Sequence, residues 1–152
     1  MKPSNVFSWE ILLVEDNPAD VFLTQEALKE SNISHNLQLA GDGVAALEYL
    51  QQEGDNAGAV RPDIILLDLD MPRMGGHELL ARIKSDEVLK NIPVIVLSSS
   101  AAADDISRVY ALNANCYTRK PLNIDLFTDV IKGIQEFWLK PLGLPLGSSG
   151  NP

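Results

Sequence analysis

The sequence predicts an α/β fold, five βα units around a parallel sheet, and three observations predict it. Short aliphatic runs alternate five times with segments of helical apolar spacing. One of these runs, Ile64-Ile65-Leu66-Leu67, is unbroken, as expected of a strand buried on both faces of a parallel sheet. The runs then end in polar residues: Glu15 and Asp16, Asp68, Ser98, and Lys120 after the fifth. In open α/β sheets, ligands bind outside the carboxyl ends of the strands. Asp68, the first residue past the third aliphatic run, is therefore placed at the lip of a site.

The first strand is Trp9–Val14. Asn17 then caps a helix and Pro18 takes its first position, where the missing N–H costs nothing. The helix carries Val21, Phe22, Leu23, Ala27 and Leu28 and runs to about Glu30, where Ser31-Asn32 stops it. Asn36–Ala40 alternates as a short second strand, and Gly41-Asp42-Gly43 turns into a helix bearing Val44, Leu47 and Leu50. Residues Gln51–Arg61 are polar and long for an αβ connection, which makes them a surface loop. After the third strand a helix spans about Gly76–Lys84, with Leu79, Leu80 and Ile83 on one side. Pro93–Leu97 is the fourth strand. A fourth helix (α4) starts at Asp104 or Asp105 and passes through Ile106, Val109 and Tyr110. A weaker fifth strand (β5), Asn115–Thr118, leads to Arg119-Lys120-Pro121, and the last helix (α5) is Asn123–Leu139. Right-handed crossovers are expected throughout.

Residues 1–8 form an N-terminal extension and 9–140 a single domain. Residues 141–152, rich in Pro, Gly and Ser, form a flexible tail. A net charge of −9 argues against nucleic-acid binding, because no basic face can neutralise phosphates. One cysteine, Cys116, excludes an internal disulfide framework and suits a reducing compartment. No apolar run approaches the roughly 20 residues of a membrane span, and residues 1–8 lack a signal-peptide core. The expectation is a soluble cytoplasmic protein that binds neither nucleic acid nor membrane.

Three carboxylates at adjacent strand ends are costly by themselves. At about 5 Å and an effective dielectric near 20, each like-charge pair costs on the order of 3 kcal/mol. Lys120 can offset part of this, and a hard divalent ion suits the remaining deficit, because magnesium takes carboxylates, a carbonyl, waters and phosphate oxygens. The set also matches phosphoryl transfer onto a carboxylate, in which charge spreads over three equatorial oxygens and catalysis is mainly positioning and neutralisation. The ion takes one oxygen, the Ser98 hydroxyl donates to a second and Lys120 pairs with the third. Asp68 is the nucleophile, kept ionised by the nearby cation.

At this point the chain resembles the receiver domains of two-component response regulators. The motifs are an acidic pair after the first strand, Asp68-x-x-Met71-Pro72-x-Met74-x-Gly76 after the third, a hydroxyl after the fourth and Lys120-Pro121 after the fifth. The resemblance covers Trp9 to Leu139 and implies a flavodoxin-like (βα)5 doubly wound parallel sheet in the order 2-1-3-4-5. It also implies a sensor histidine kinase as phosphodonor. The implied metal is Mg2+ or Mn2+, held by Asp16, Asp68 and the backbone carbonyl of Asp70, with Glu15 acting through water. Tyr117 falls on the family's switch aromatic, which together with Ser98 re-forms the α4-β5-α5 face. The Gln51–Arg61 loop, Asn115-Cys116-Tyr117 and Lys132–Leu139 are similar to the small stand-alone regulators partnered with cyanobacterial phytochromes. That resemblance implies no output domain, homodimers through the α4-β5-α5 face, and a downstream protein or phosphotransfer partner. Two residues depart from the pattern: Asp70 stands where that group usually has Asn, and Gly75-Gly76 replaces the more frequent Asp-Gly.

Each residue also has an ordinary reading. Asp68, Glu15 and Asp16 are of the type that caps turns and helices. Ser99 and Ser100 suit an ST-turn, Lys120 a solvated loop, and Tyr117 a half-buried aromatic site. Cys116 is of the small buried type, His35 and His77 lack metal-ligand spacing, and Phe137-Trp138 suits either core packing or self-association. Three other functions compete. A haloacid-dehalogenase-type phosphatase would use Leu67-Asp68-Leu69-Asp70, but on its first strand and with a downstream acidic pair. A binding module of receiver fold without phosphorylation would lack the acceptor or the lysine. A flavodoxin would bind a flavin phosphate, to which these acids are poorly suited.

Overall fold

The computed structural model describes residues 8–52, 58–69, 74–98, 106–107, 110–111, 114, 116–120 and 122–139, with side chains as far as Ile134. Its elements are β1 (Trp9–Val14), α1 (Pro18–Glu30), β2 (His35–Ala40), α2 (Gly43–Leu50), β3 (Ile64–Asp68), α3 (Gly76–Lys84), a 3-10 turn at Leu89–Asn91, β4 (Val94–Ser98), β5 (Cys116–Arg119) and α5 (Ile124–Leu139). Of α4, Ile106, Ser107, Tyr110 and Ala111 are described and helical. The predicted loop is described only at its two ends, and Asp70, Ser99, Ser100 and the 141–152 tail lie outside the described residues. So do the side chains of Phe137 and Trp138.

The five strands form one parallel sheet in the order β2-β1-β3-β4-β5, the order that the resemblance implied. Alternate residues of each central strand feed opposite cores. On one face Leu12, Val14, Ile65, Leu67, Val94 and Val96 pack with Leu47 and Leu50 of α2 and Leu79, Leu80 and Ile83 of α3. On the other, Ile11, Leu13, Ile64, Leu66, Ile95 and Leu97 pack with Leu28 of α1 and Phe127 and Ile131 of α5. This explains the unbroken aliphatic run of β3: a period-2 strand covered by helices on both sides has no solvent face.

Boundaries move by a residue where hydrogen bonding decides. The strand run continues one residue past the last aliphatic in β3 and β4, so Asp68 and Ser98 are themselves strand residues. Asn123 stands just before α5 and caps it, its Oδ1 accepting from the Leu126 N–H at 2.9 Å. Asn17 caps α1 as expected, accepting from the Ala19 and Asp20 N–H groups. On α1, however, Phe22 and Leu23 are 58% and 48% exposed, whereas Thr24 is buried. The face turned to the sheet takes Val21, Thr24, Ala27 and Leu28, and its neighbours point outward at helical spacing.

Gly76 opens α3 under the end of β3. A Cβ there would lie 2.6 Å from Leu69 Cα and 2.7 Å from the Asp68 carbonyl oxygen, so only glycine fits. Gly75, by contrast, has open space around it and caps α3 without a side chain. Lys84 closes the other end of α3, donating from Nζ to the carbonyls of Lys90 at 3.2 Å and Ile92 at 3.0 Å. No helix among the described residues is long and apolar enough to cross a membrane.

Candidate phosphoacceptor site

The sheet register assembles the site. Val14 pairs with Leu67, so Glu15 comes level with Asp68. Asp68 pairs with Leu97, one residue before Ser98, and Ser98 pairs with Arg119, one residue before Lys120. The ladder runs on past the strand ends: the Glu15 N–H donates to Ala40 O at 2.9 Å, Leu69 N–H to Leu97 O at 3.1 Å, and Lys120 N–H to Ser98 O at 2.9 Å. Polar side chains are thus delivered to one edge by backbone bonds alone.

Asp68 and Ser98 are fully buried, Glu15 is 4% exposed and Asp16 is exposed. Lys120 reaches into this group. Its Nζ lies 3.1 Å from Asp68 Oδ1, 3.0 Å from Glu15 Oε1 and 2.9 Å from Asp20 Oδ2. Burial pulls the ammonium toward neutrality, but its interactions with the accepting carboxylates of Asp20, Glu15 and Asp68 outweigh this and raise its pKa. For Glu15, burial dominates and lifts the carboxyl to about 7; Lys120 pulls it down and the Asp68 charge pushes it up. The solvated-loop reading of Lys120 therefore does not describe this side chain, which is 16% exposed and pairs with three carboxylates.

Glu15, Asp16 and Asp68 each turn a carboxylate oxygen into one small volume, all three oxygens within 4.8 Å of one another. Hard oxygen donors at that spacing, with one carboxylate open to solvent, fit a hydrated divalent ion of the magnesium or manganese type. The fourth predicted contributor, the Asp70 carbonyl, lies outside the described residues.

Tyr117 sits on β5, half-buried, its ring against the α2/α3 core and its N–H donating to the Tyr110 hydroxyl at 3.2 Å. Cys116 is also half-buried, and burial pushes its thiol up, away from the reactive thiolate. His35 holds the Ile33 carbonyl through Nδ1 at 2.7 Å, and neither histidine belongs to a metal-binding group among the described residues.

Asp20 was not among the residues singled out from the sequence. An acid in the first turn of a helix ordinarily reads as a complement to the helix dipole. The available signal was its position: one turn after Asp16, on a helix whose start is pinned by Asn17 and Pro18.

A doubly wound sheet with an acidic cluster and a lysine at its carboxyl edge defines a class, and sequence comparison agrees. Residues 11–132 match the response regulator receiver domain, and the chain belongs to that family. It is 47% identical over 135 residues to the response regulator Rcp1 of Synechocystis, covering 89% of this chain and 92% of Rcp1. Among solved structures, it is similar to the phosphorylated cyanobacterial phytochrome response regulator RcpA (TM-score 0.72, 51% identity, 88% of this chain and 95% of RcpA). It is likewise similar to the Mn2+-bound form of Rcp1 (TM-score 0.71, 46% identity, 86% of this chain and 94% of that one). The cyanobacterial phytochrome regulators expected from the sequence are thus among its relatives.

Proposed function

We propose that this chain is a phosphorelay signalling protein that takes a phosphoryl group onto Asp68 from a sensor histidine kinase. The observation that carries the reading is the contact of Lys120 Nζ with a fully buried Asp68 that belongs to a three-carboxylate cluster. Asp68 attacks: one carboxylate oxygen forms the O–P bond while the donor's P–N bond breaks, its electron pair leaving with the nitrogen. Lys120 keeps Asp68 ionised and then pairs with a phosphoryl oxygen. Ser98, at the end of the neighbouring strand, donates its hydroxyl to another. Asp16, Asp68 and the Asp70 carbonyl would hold Mg2+ or Mn2+, with Glu15 acting through water. When bound, the ion supplies charge neutralisation at the transferring group.

Burial of the acceptor end of the site, at Asp68 and Ser98, limits water, and the same residues set how long the acyl phosphate lasts. Asp70, in place of Asn, adds a negative side chain there and alters the rate of autodephosphorylation. Output follows from a local charge change that biases Ser98 and Tyr117 and re-forms the α4-β5-α5 face. That face serves a homodimer and a downstream protein or phosphotransfer partner. The likeness to Rcp1 and RcpA supports a phytochrome-type kinase as donor and a cytoplasmic location. The chain is not an enzyme acting on a separate substrate; it assists its own phosphorylation and dephosphorylation.

Intact mass after incubation with phosphoramidate tests this directly. A magnesium-dependent gain of one phosphoryl group in wild type, absent in Asp68→Asn, is expected. A wild type that stays folded and never gains the group overturns the reading in favour of a phosphorylation-independent binding module.

A further inference from the structure

We propose that Asp20 is a positioning residue for phosphoryl transfer, anchoring the Lys120 ammonium from outside the acidic cluster so that the lysine stays aimed at Asp68. The inference rests on the phosphoacceptor reading of Asp68 given above. An ammonium has three N–H donors, and three carboxylates surround this one: Glu15 at 3.0 Å, Asp68 at 3.1 Å and Asp20 at 2.9 Å. Two of these partners carry other duties, because Glu15 and Asp68 belong with Asp16 to the trio that fits a divalent ion. Asp20 stands outside that trio, so its charge is committed to the lysine.

The difference matters during the reaction. The Asp68 oxygen that bonds phosphorus loses its charge, and Glu15, as a member of the trio that fits a divalent ion, would share its charge with that ion when bound. Asp20 is the partner whose role does not change. It also stands on a fixed support: it lies in the first turn of α1, its N–H donating to Asn17 Oδ1 at 3.2 Å, with Pro18 fixing the helix start. Lys120, by contrast, follows the end of β5 on a flexible four-carbon stem. A fixed carboxylate at 2.9 Å selects the lysine rotamers that also reach Asp68, and misplacement of a charged group by an ångström is enough to slow a transfer step. A helix-dipole role alone would not require this contact.

Asp20→Asn and Asp20→Ala remove the charge at a side chain that is 28% exposed, where neither leaves a buried hole. With phosphoramidate as donor and saturating magnesium, Asp68 forms the O–P bond and the P–N bond breaks. Its electron pair stays on the already protonated nitrogen, which departs as ammonia. The rate constant for adduct formation is expected to fall about tenfold in both variants, with unchanged melting temperature. The second readout needs neither phosphate nor metal: the 15N signal of the Lys120 ammonium, visible in wild type because the held group exchanges slowly, disappears in both variants. Adduct rates within twofold of wild type, or an undisturbed ammonium signal, overturn the proposal while leaving the acceptor role of Asp68 intact. A wild type that forms no adduct overturns both.

Discussion

Lys120 Nζ lies 3.1 Å from Asp68 Oδ1, and the same lysine's backbone N–H donates to the Ser98 carbonyl at 2.9 Å. One residue therefore ties the end of β5 to the end of β4 through its backbone and to the end of β3 through its side chain. Lys120→Met keeps the apolar stem and removes the charge, leaving the buried carboxylates of Glu15 and Asp68 uncompensated. In metal-free protein at pH 8 the expected loss of stability is roughly 3–5 kcal/mol, read from urea unfolding. Millimolar magnesium recovers part of it, and phosphoryl uptake is abolished. A variant as stable as wild type at pH 8 in chelator would show that the ammonium compensates nothing.

Glu15 gives the metal-free protein a pH dependence of unusual sign. Burial lifts its carboxyl from 4.5 to about 7, so between these values the folded state binds more protons than the unfolded chain. Stability contributed at this site therefore falls as pH rises from 4.5 to 7 and is level above that. The total is on the order of 3 kcal/mol. Other carboxylates add slopes of their own, so the readout is the difference between wild type and Glu15→Gln. In chelator, wild type should lose stability relative to the glutamine variant from pH 5 to pH 7. A difference that stays flat over this range rules out the raised carboxyl.

Much of this architecture was legible because each feature leaves a local trace. Burial on both faces forces Ile64–Leu67 to be aliphatic throughout, and parallel strands bring their carboxyl ends to one edge, so the acids and Lys120 could be placed together. What stayed hidden depends on side-chain reach. Asp20 looks like any acid at a helix start, and only the fold shows Lys120, a hundred residues later, arriving within 2.9 Å. Lys84 looks like an exposed last-turn cation, yet it binds the carbonyls of Lys90, in the following 3-10 turn, and of Ile92, just past it. The weak segregation of α1 misled in another way: Phe22 is apolar and 58% exposed, Thr24 polar and 4% exposed.

Gly75 and Gly76 are adjacent and should respond oppositely. At Gly76 a methyl group would press on the Asp68 carbonyl and the Leu69 backbone, neither of which can yield as a side-chain end would. Gly76→Ala is expected to cost about 1–3 kcal/mol and to slow phosphoryl uptake, since the displaced backbone carries Asp68. Gly75→Asp meets open space and supplies the missing cap on α3, a gain of a few tenths of a kcal/mol. Thermal melting of the two variants side by side checks this, and equal effects would refute the close-packing account.

Tyr110 offers a test of how α4 is joined to Tyr117, the residue proposed to switch. Its hydroxyl accepts the Tyr117 N–H at 3.2 Å on an edge strand, while the Tyr117 ring lies against the α2/α3 core. Tyr110 itself is 48% exposed, so in Tyr110→Phe water can take over the N–H and global stability should fall by no more than about 1 kcal/mol. Local protection is a different matter, because the water that replaces the hydroxyl is also the exchange partner. Amide hydrogen exchange at Tyr117 is expected to quicken about tenfold, with the β3 amides unchanged. If the α4 contact biases the ring, the same variant also changes the Tyr117 aromatic NMR signals before any phosphorylation. Unchanged exchange at Tyr117 would mean that β5 holds this residue without help from α4, and the coupling of the two elements would have to run through side-chain packing alone.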